Sequence, residues 1–117
     1  MSGATSYHSG RVAEDQVVAW YEVRGLSVAA RRWRGSRGEI DLILRQGATL
    51  IFVEVKRAAS LAGAAHRLGP AQIGRICGAA SEFLAGEPGG QDTDMRFDLA
   101  LVDGRGMIEI IENAFTA

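Results

Sequence analysis

At 117 residues, with 47% apolar and 23% charged side chains, the chain has the size and balance of one ordinary globular domain and is too short for two cores. No run reaches the roughly 18 apolar residues of a membrane helix, the opening MSGATSYHSGR lacks a signal peptide's apolar centre, and the single Cys77 cannot close an internal disulfide, so a cytoplasmic protein is expected. The net charge of −1 hides an asymmetry: residues 1–23 carry −2, residues 24–75 carry +7 and residues 76–117 carry −6, a pattern that suits a polyanionic partner better than a small neutral one.

Residues 1–9 are small and polar and read as a flexible lead-in to a domain spanning 10–117. A helix is expected from residue 10 or 11 to 24: Ala13, Val17 and Trp20 share a stripe with Tyr21 beside them, and Gly25 suits a left-handed stop. Glu14 in its first turn has two readings. The helix dipole favours a carboxylate there, yet the side chain also sits at the edge of the core-facing stripe, where it can address whatever packs below. Residues 26–34 form a first strand rich in arginine (Arg31, Arg32, Arg34, then Arg37), and Trp33 among them is core filling or a stacking surface. Gly35, Ser36 and Gly38 turn the chain into a second strand at 39–45. Gln46-Gly47-Ala48-Thr49 makes a hairpin connection, and 50–56 is a third strand.

Residues 57–69 are alanine-rich without strand or cap signals, so a partial helix and a loop both stay open; His66 within them reads as a surface residue. Pro70 opens a second helix with Ile73, Ile76, Cys77, Ala80, Phe83 and Leu84 on its apolar stripe and Gln72 and Arg75 off it. Cys77 there reads as a buried, inert thiol. Residues 86–94 are a solvated linker, 96–102 a fourth strand and 107–111 a fifth, with Phe115 free to dock on the core. The order α-β-β-β-α-β-β predicts a mixed α/β sandwich with helices against a central sheet.

The hairpin at 38–56 (GEIDLILRQGATLIFVEVK) carries the chemistry. Strand alternation puts Ile40, Leu42 and Leu44 on one face with Glu39, Asp41 and Ile43 on the other; in the next strand Phe52, Glu54 and Lys56 share a face. A turn centred between Gly47 and Ala48 pairs positions that sum to 95, which sets Asp41 opposite Glu54 and Glu39 opposite Lys56. Opposed side chains have Cβ atoms roughly 4.5–5.5 Å apart, so two like charges there repel unless a cation lies between them. Hard oxygen ligands from two strands suit Mg²⁺ or Mn²⁺. Lys56 projects to the same face, where a protonated ammonium orients water or stabilises charge on a phosphate.

GEIDLI, then FVEVK, a helix containing Ala79-Ala80, then RFD and a C-terminal NAF together resemble the bacterial UPF0102 (YraN-like) proteins, from about Gly10 to Phe115. The resemblance implies a restriction-endonuclease-like αβββαβ core, a central mixed sheet flanked by helices, of the PD-(D/E)XK superfamily and close to archaeal Holliday-junction resolvases. By motif it implies an active site of Glu14, Asp41, Glu54 and Lys56, with metal ligands Asp41, Glu54 and Glu14. Many relatives carry lysine at the position of Gln72, so a phosphate contact there is neutral in this chain; the following glutamine reads Ile73, and the run before GEIDLI reads Arg32-Trp33-Arg34. The expectation is a Mg²⁺- or Mn²⁺-dependent endonuclease acting on DNA, on branched or damaged structures, with Arg31, Arg34, Arg37, Arg57, Gln72 and Arg75 as backbone contacts. Resolvase relatives act as homodimers. The alternative is a nucleic-acid-binding module that keeps the fold without catalysis.

Overall fold

The computed structural model describes residues 3–65 and 67–116, with the side chains of 3–9 and 65 left aside. Helix α1 (Gly3–Val23) is followed by strands β1 (Ser27–Arg34), β2 (Glu39–Gln46) and β3 (Thr49–Arg57), short helix α2 (Leu61–Ala65), helix α3 (Pro70–Leu84), and strands β4 (Met95–Val102) and β5 (Ile108–Phe115). The five strands form one sheet in chain order. Successive strands run antiparallel except β3 and β4, which are parallel and joined through the helices, as a crossover requires. This is a mixed α/β fold, a five-stranded mixed sheet flanked by helices, in agreement with the expected restriction-endonuclease-like core.

Each face of the sheet buries one long helix. On one side Ala13, Val17, Val18 and Tyr21 of α1 pack on Leu42, Leu44, Ile51, Val53, Ala100 and Val102. On the other, Ile76, Ala79, Ala80 and Leu84 of α3 pack on Ile40, Ile43, Leu50, Phe52 and Phe97. Trp33 belongs to that second layer, edge-on to Phe83 at 5.4 Å between ring centroids, so its role is core filling. Phe115 docks as foreseen, stacked on Phe97 at 4.9 Å.

Several boundaries differ from expectation. Helix α1 begins at Gly3 rather than at residue 10 or 11, and β5 runs on to Phe115 instead of ending at 111. The stretch 57–69, which carries no cap signal, contains α2, held because Ala64 is fully buried against Leu99 and Leu101. His66 lies outside the described residues. Cys77 is half-buried rather than buried, its Sγ 4.0 Å from the Thr116 carbonyl, and burial raises the thiol's pKa. The hairpin register is as predicted: Gln46↔Thr49, Ile43↔Phe52 and Leu42↔Val53 all sum to 95, with Gly47 at φ +60 in the turn.

Asp98, fully buried at the centre of β4, ties three elements together. Its carboxylate accepts from Tyr21 Oη (2.7 Å) on α1, from Arg96 Nε and Nη2 (2.9 and 3.2 Å), and from the Asn113 amide (3.0 Å) on β5, where the β4–β5 register shifts between Phe97 and Leu99. Burial and the Asp98 carboxylate both raise the Tyr21 phenol's pKa, so this hydroxyl stays a donor. Removing one member of a fully satisfied buried network strands the rest. Asp98→Ala is expected to cost about 3–5 kcal/mol and Tyr21→Phe about 1–2 kcal/mol in urea unfolding; a loss below about 1 kcal/mol for Asp98→Ala would remove the network's structural role.

Candidate active site

The pairing of β2 with β3 stops short of Asp41 and its pairing with β1 skips it, and the site forms there. The β1–β2 register passes from Arg31↔Leu42 to Trp33↔Ile40 with no Arg32↔Asp41 pair, and the β2–β3 register begins only at Leu42↔Val53. Arg32 has φ +49, a left-handed conformation that a long side chain adopts at a cost of about 1–3 kcal/mol. Strict alternation would group Ile40 with Leu42 and Leu44; instead Ile40 joins Ile43 in the α3-side layer, because β2 changes face at this unpaired step. The Asp41 Oδ2 then accepts the Val55 amide at 2.8 Å, replacing a ladder bond with a side-chain bond. The predicted Asp41–Glu54 and Glu39–Lys56 ladder pairs therefore do not form as backbone pairs. Glu39 bonds Arg34 at 2.9 Å, and Lys56 bonds Glu54 instead.

Asp41 and Glu54 nevertheless meet. Glu54 is only 4% exposed, and its Oε2 takes both Lys56 Nζ at 3.0 Å and Gln72 Nε2 from the first turn of α3. Burial pushes the Glu54 pKa up to about 8, the neighbouring Asp41 charge and a hydrogen bond to Asp41 add to the rise, and Lys56 opposes it. Glu14 on α1 is buried too, and its Oε1 accepts from Arg32 Nε at 3.2 Å. Burial raises its pKa, Arg32 pulls it back, and the Asp41 charge raises it again. Asp41 thus lies electrostatically between Glu14 and Glu54. Glu14, Asp41, Val55, Lys56, Arg57 and Arg67 line a cleft of about 220 Å³.

Of the other expected contacts, only Gln72 and Arg57 reach this place, Arg57 as an exposed residue of the cleft. Arg31 bonds Asp15, and Arg34 bonds Glu39. Arg37 lays its carbon stem along Gly78 while its amide bonds Glu82, and Arg75 is exposed on α3 beside Gly38. Two residues of the site were not nominated from sequence. Nothing in strand alternation announces Arg32 as a left-handed residue, and the segment of Arg67 carries no structural signal beyond a positive charge after the Glu-X-Lys motif.

Among the described residues, no three His, Cys, Asp or Glu side chains converge as a ready ligand set. The donors still fit a hard divalent cation. Asp41 and Glu54 are adjacent carboxylates, one of them desolvated, and their mutual repulsion is relieved either by a proton on Glu54 or by a dication. The pH dependence has a definite sign. With the folded pKa of Glu54 raised from 4.5 to about 8, the folded state binds this proton more tightly than the unfolded chain. Its stability contribution is complete below pH 4.5 and is lost as pH rises through about 8. In chelator, Glu54→Gln should therefore gain thermal stability relative to wild type as pH rises across that window; a difference that stays flat would contradict the buried-carboxylate assignment.

Comparison with known proteins places this chain in a wider group. Residues 13–102 match the uncharacterised protein family UPF0102. A UPF0102 protein of Cereibacter sphaeroides (strain KD131) is 62% identical over 117 residues, covering 100% of both chains. One of Ruegeria pomeroyi is 54% identical over 113 residues, covering 97% of this chain and 92% of its own, and one of Dinoroseobacter shibae is 47% identical over 111 residues, covering 95% and 83%. The match spans α1 to β4, including Glu14, Asp41, Glu54, Lys56 and Gln72, and the chain belongs to the UPF0102 family.

Proposed function

We propose that this chain is a Mg²⁺- or Mn²⁺-dependent endonuclease of the PD-(D/E)XK superfamily, related to archaeal Holliday-junction resolvases, that hydrolyses DNA phosphodiester bonds in branched or damaged structures. The observation that carries the reading is the meeting of Asp41, buried Glu54 and Lys56 beside a cleft that Asp41 and Lys56 line, in the segment of the chain with a net charge of +7. A carboxylate pair this poorly compensated is costly as pure structure, which favours a role for it.

In this reading Asp41 and Glu54 would hold the metal, which would supply Lewis-acid polarisation of the phosphoryl oxygen and acidification of a bound water. Gln72 and Lys56 hold the Glu54 carboxylate from its Oε2 side. The Lys56 ammonium, 17% exposed, offsets negative charge that builds on the phosphate. Symmetric cutting of two strands would require two copies of the chain, as in resolvases.

A second reading, a nucleic-acid-binding module without turnover, draws on one feature: Arg32 occupies Glu14 and leaves two carboxylates for a metal. Incubation with branched, single-stranded and duplex DNA in Mg²⁺ or Mn²⁺ separates the two. Asp41→Ala and Lys56→Ala are each expected to lower cleavage by about 100-fold or more while the fold persists. Equal cleavage by wild type and Asp41→Ala would end the nuclease reading.

A further inference from the structure

Most arginines of this chain are already engaged. Arg31, Arg32, Arg34, Arg45 and Arg96 bond carboxylates, and Arg24 lies 3.4 Å over the Trp20 ring. Among the described residues, the guanidinium groups of Arg37, Arg57, Arg67, Arg75 and Arg105 have neither an ion pair nor a hydrogen bond. Three of these five, Arg57, Arg67 and Arg105, sit along one surface feature. Two cavities share lining residues with the acid cleft, one of about 400 Å³ at the β4–β5 turn through Ala13 and Arg57 and another of about 290 Å³ through Arg57 and Arg67. Arg57 lines all three spaces, Arg67 lines the cleft and the smaller neighbour, and Arg105 lines the larger one.

The far end of this groove is held in shape. Asp103, its one acidic residue outside the cleft, spends its Oδ1 on the amides of Arg105 (2.8 Å) and Met107 (2.9 Å), and Gly106 closes the turn at φ +82. Arg105 is thus presented from a tied turn rather than from a loose loop, and its guanidinium remains available to an anion. Cations left unpaired on a concave surface focus positive potential there, whereas Arg34 neutralises its charge locally on Glu39.

We propose that this groove, from the acid cleft past Arg57 and Arg67 to Arg105, is the track for the phosphodiester backbone of a nucleic-acid strand flanking the cut site. The proposal rests on the endonuclease reading for the position of the scissile bond. It moves the expected backbone contacts from Arg31, Arg34, Arg37 and Arg75 to the β3 end, the segment before α3 and the β4–β5 turn.

The test is binding of labelled single-stranded and duplex DNA in EDTA over a range of salt concentrations, so that catalysis plays no part. Each lost phosphate contact lowers the slope of log K against log [salt] by about 0.7 for single strands and 0.9 for duplex. The triple variant Arg57→Ala, Arg67→Ala, Arg105→Ala should lose about 2–3 from the slope. A charge-matched triple, Arg24→Ala, Arg34→Ala, Arg75→Ala, should lose less than about 1. The single variants, each expected to lose about one contact's worth of slope, carry the test if the triple does not fold. Equal losses in both triples, a wild-type slope in the groove triple, or no salt-dependent binding by wild type would each overturn the track. Cleavage by wild type and Asp41→Ala is read separately in Mg²⁺. A protein that shows the expected slopes but cuts no better than Asp41→Ala keeps the groove and loses the nuclease.

Discussion

Two carboxylates that water would keep apart are held together where β2 leaves β3 and skips one pair with β1. Glu54 cannot escape into solvent because it sits on a central strand whose next pairing partner, Leu99, is itself buried. Asp41 cannot withdraw because its side chain has replaced a ladder bond to the Val55 amide. The surrounding structure bears on this pair. Lys56 and Gln72 hold one oxygen of Glu54, Arg32 takes a strained backbone to hold Glu14, and α1 and α3 each contribute one of these groups.

Asp98 shows what a structural buried carboxylate looks like in the same sheet. It has no exposure and donors on both oxygens from three elements, including the paired Arg96 cation. Glu54 has comparable burial, but its proton is held tightly by desolvation and by a second carboxylate beside it. Networks of the first kind specify a fold; under-compensated pairs of the second kind mark places where a proton or cation is expected to come and go. The contrast lies within one protein and one sheet, so it owes nothing to differences in overall composition.

Much of this was legible along the chain. The hairpin register followed from the turn at Gly47 and the alternation of Ile43, Leu50 and Phe52, because a tight turn leaves only one way to pair two amphipathic strands. The neighbourhood of Asp41 and Glu54 followed from that register, as did the placement of Lys56 beside Glu54. The stripe on α3 and the stop at Gly25 were likewise visible, since both rest on local periodicity or backbone conformation. The extension of α1 back to Gly3 was not, because small polar residues carry no stripe. Nor was α2, whose buried Ala64 packs on β4 some 35 residues further on.

By itself the sequence determined which carboxylates share the hairpin, where the positive charge collects and that helices cover a sheet, since these depend on short-range pattern and composition. Only the tertiary structure decided how those groups are used. Alternation cannot foresee that β2 changes face at Asp41, that Arg32 turns left-handed toward Glu14, or that Gln72 and Lys56 share one oxygen of Glu54. Those outcomes depend on contacts between residues far apart in the chain, where the cost of desolvating a charge is set by whatever else has packed around it. The same holds for the arginines: their number is a property of the chain, but which of them remain unpaired was settled only when the acids had found their partners.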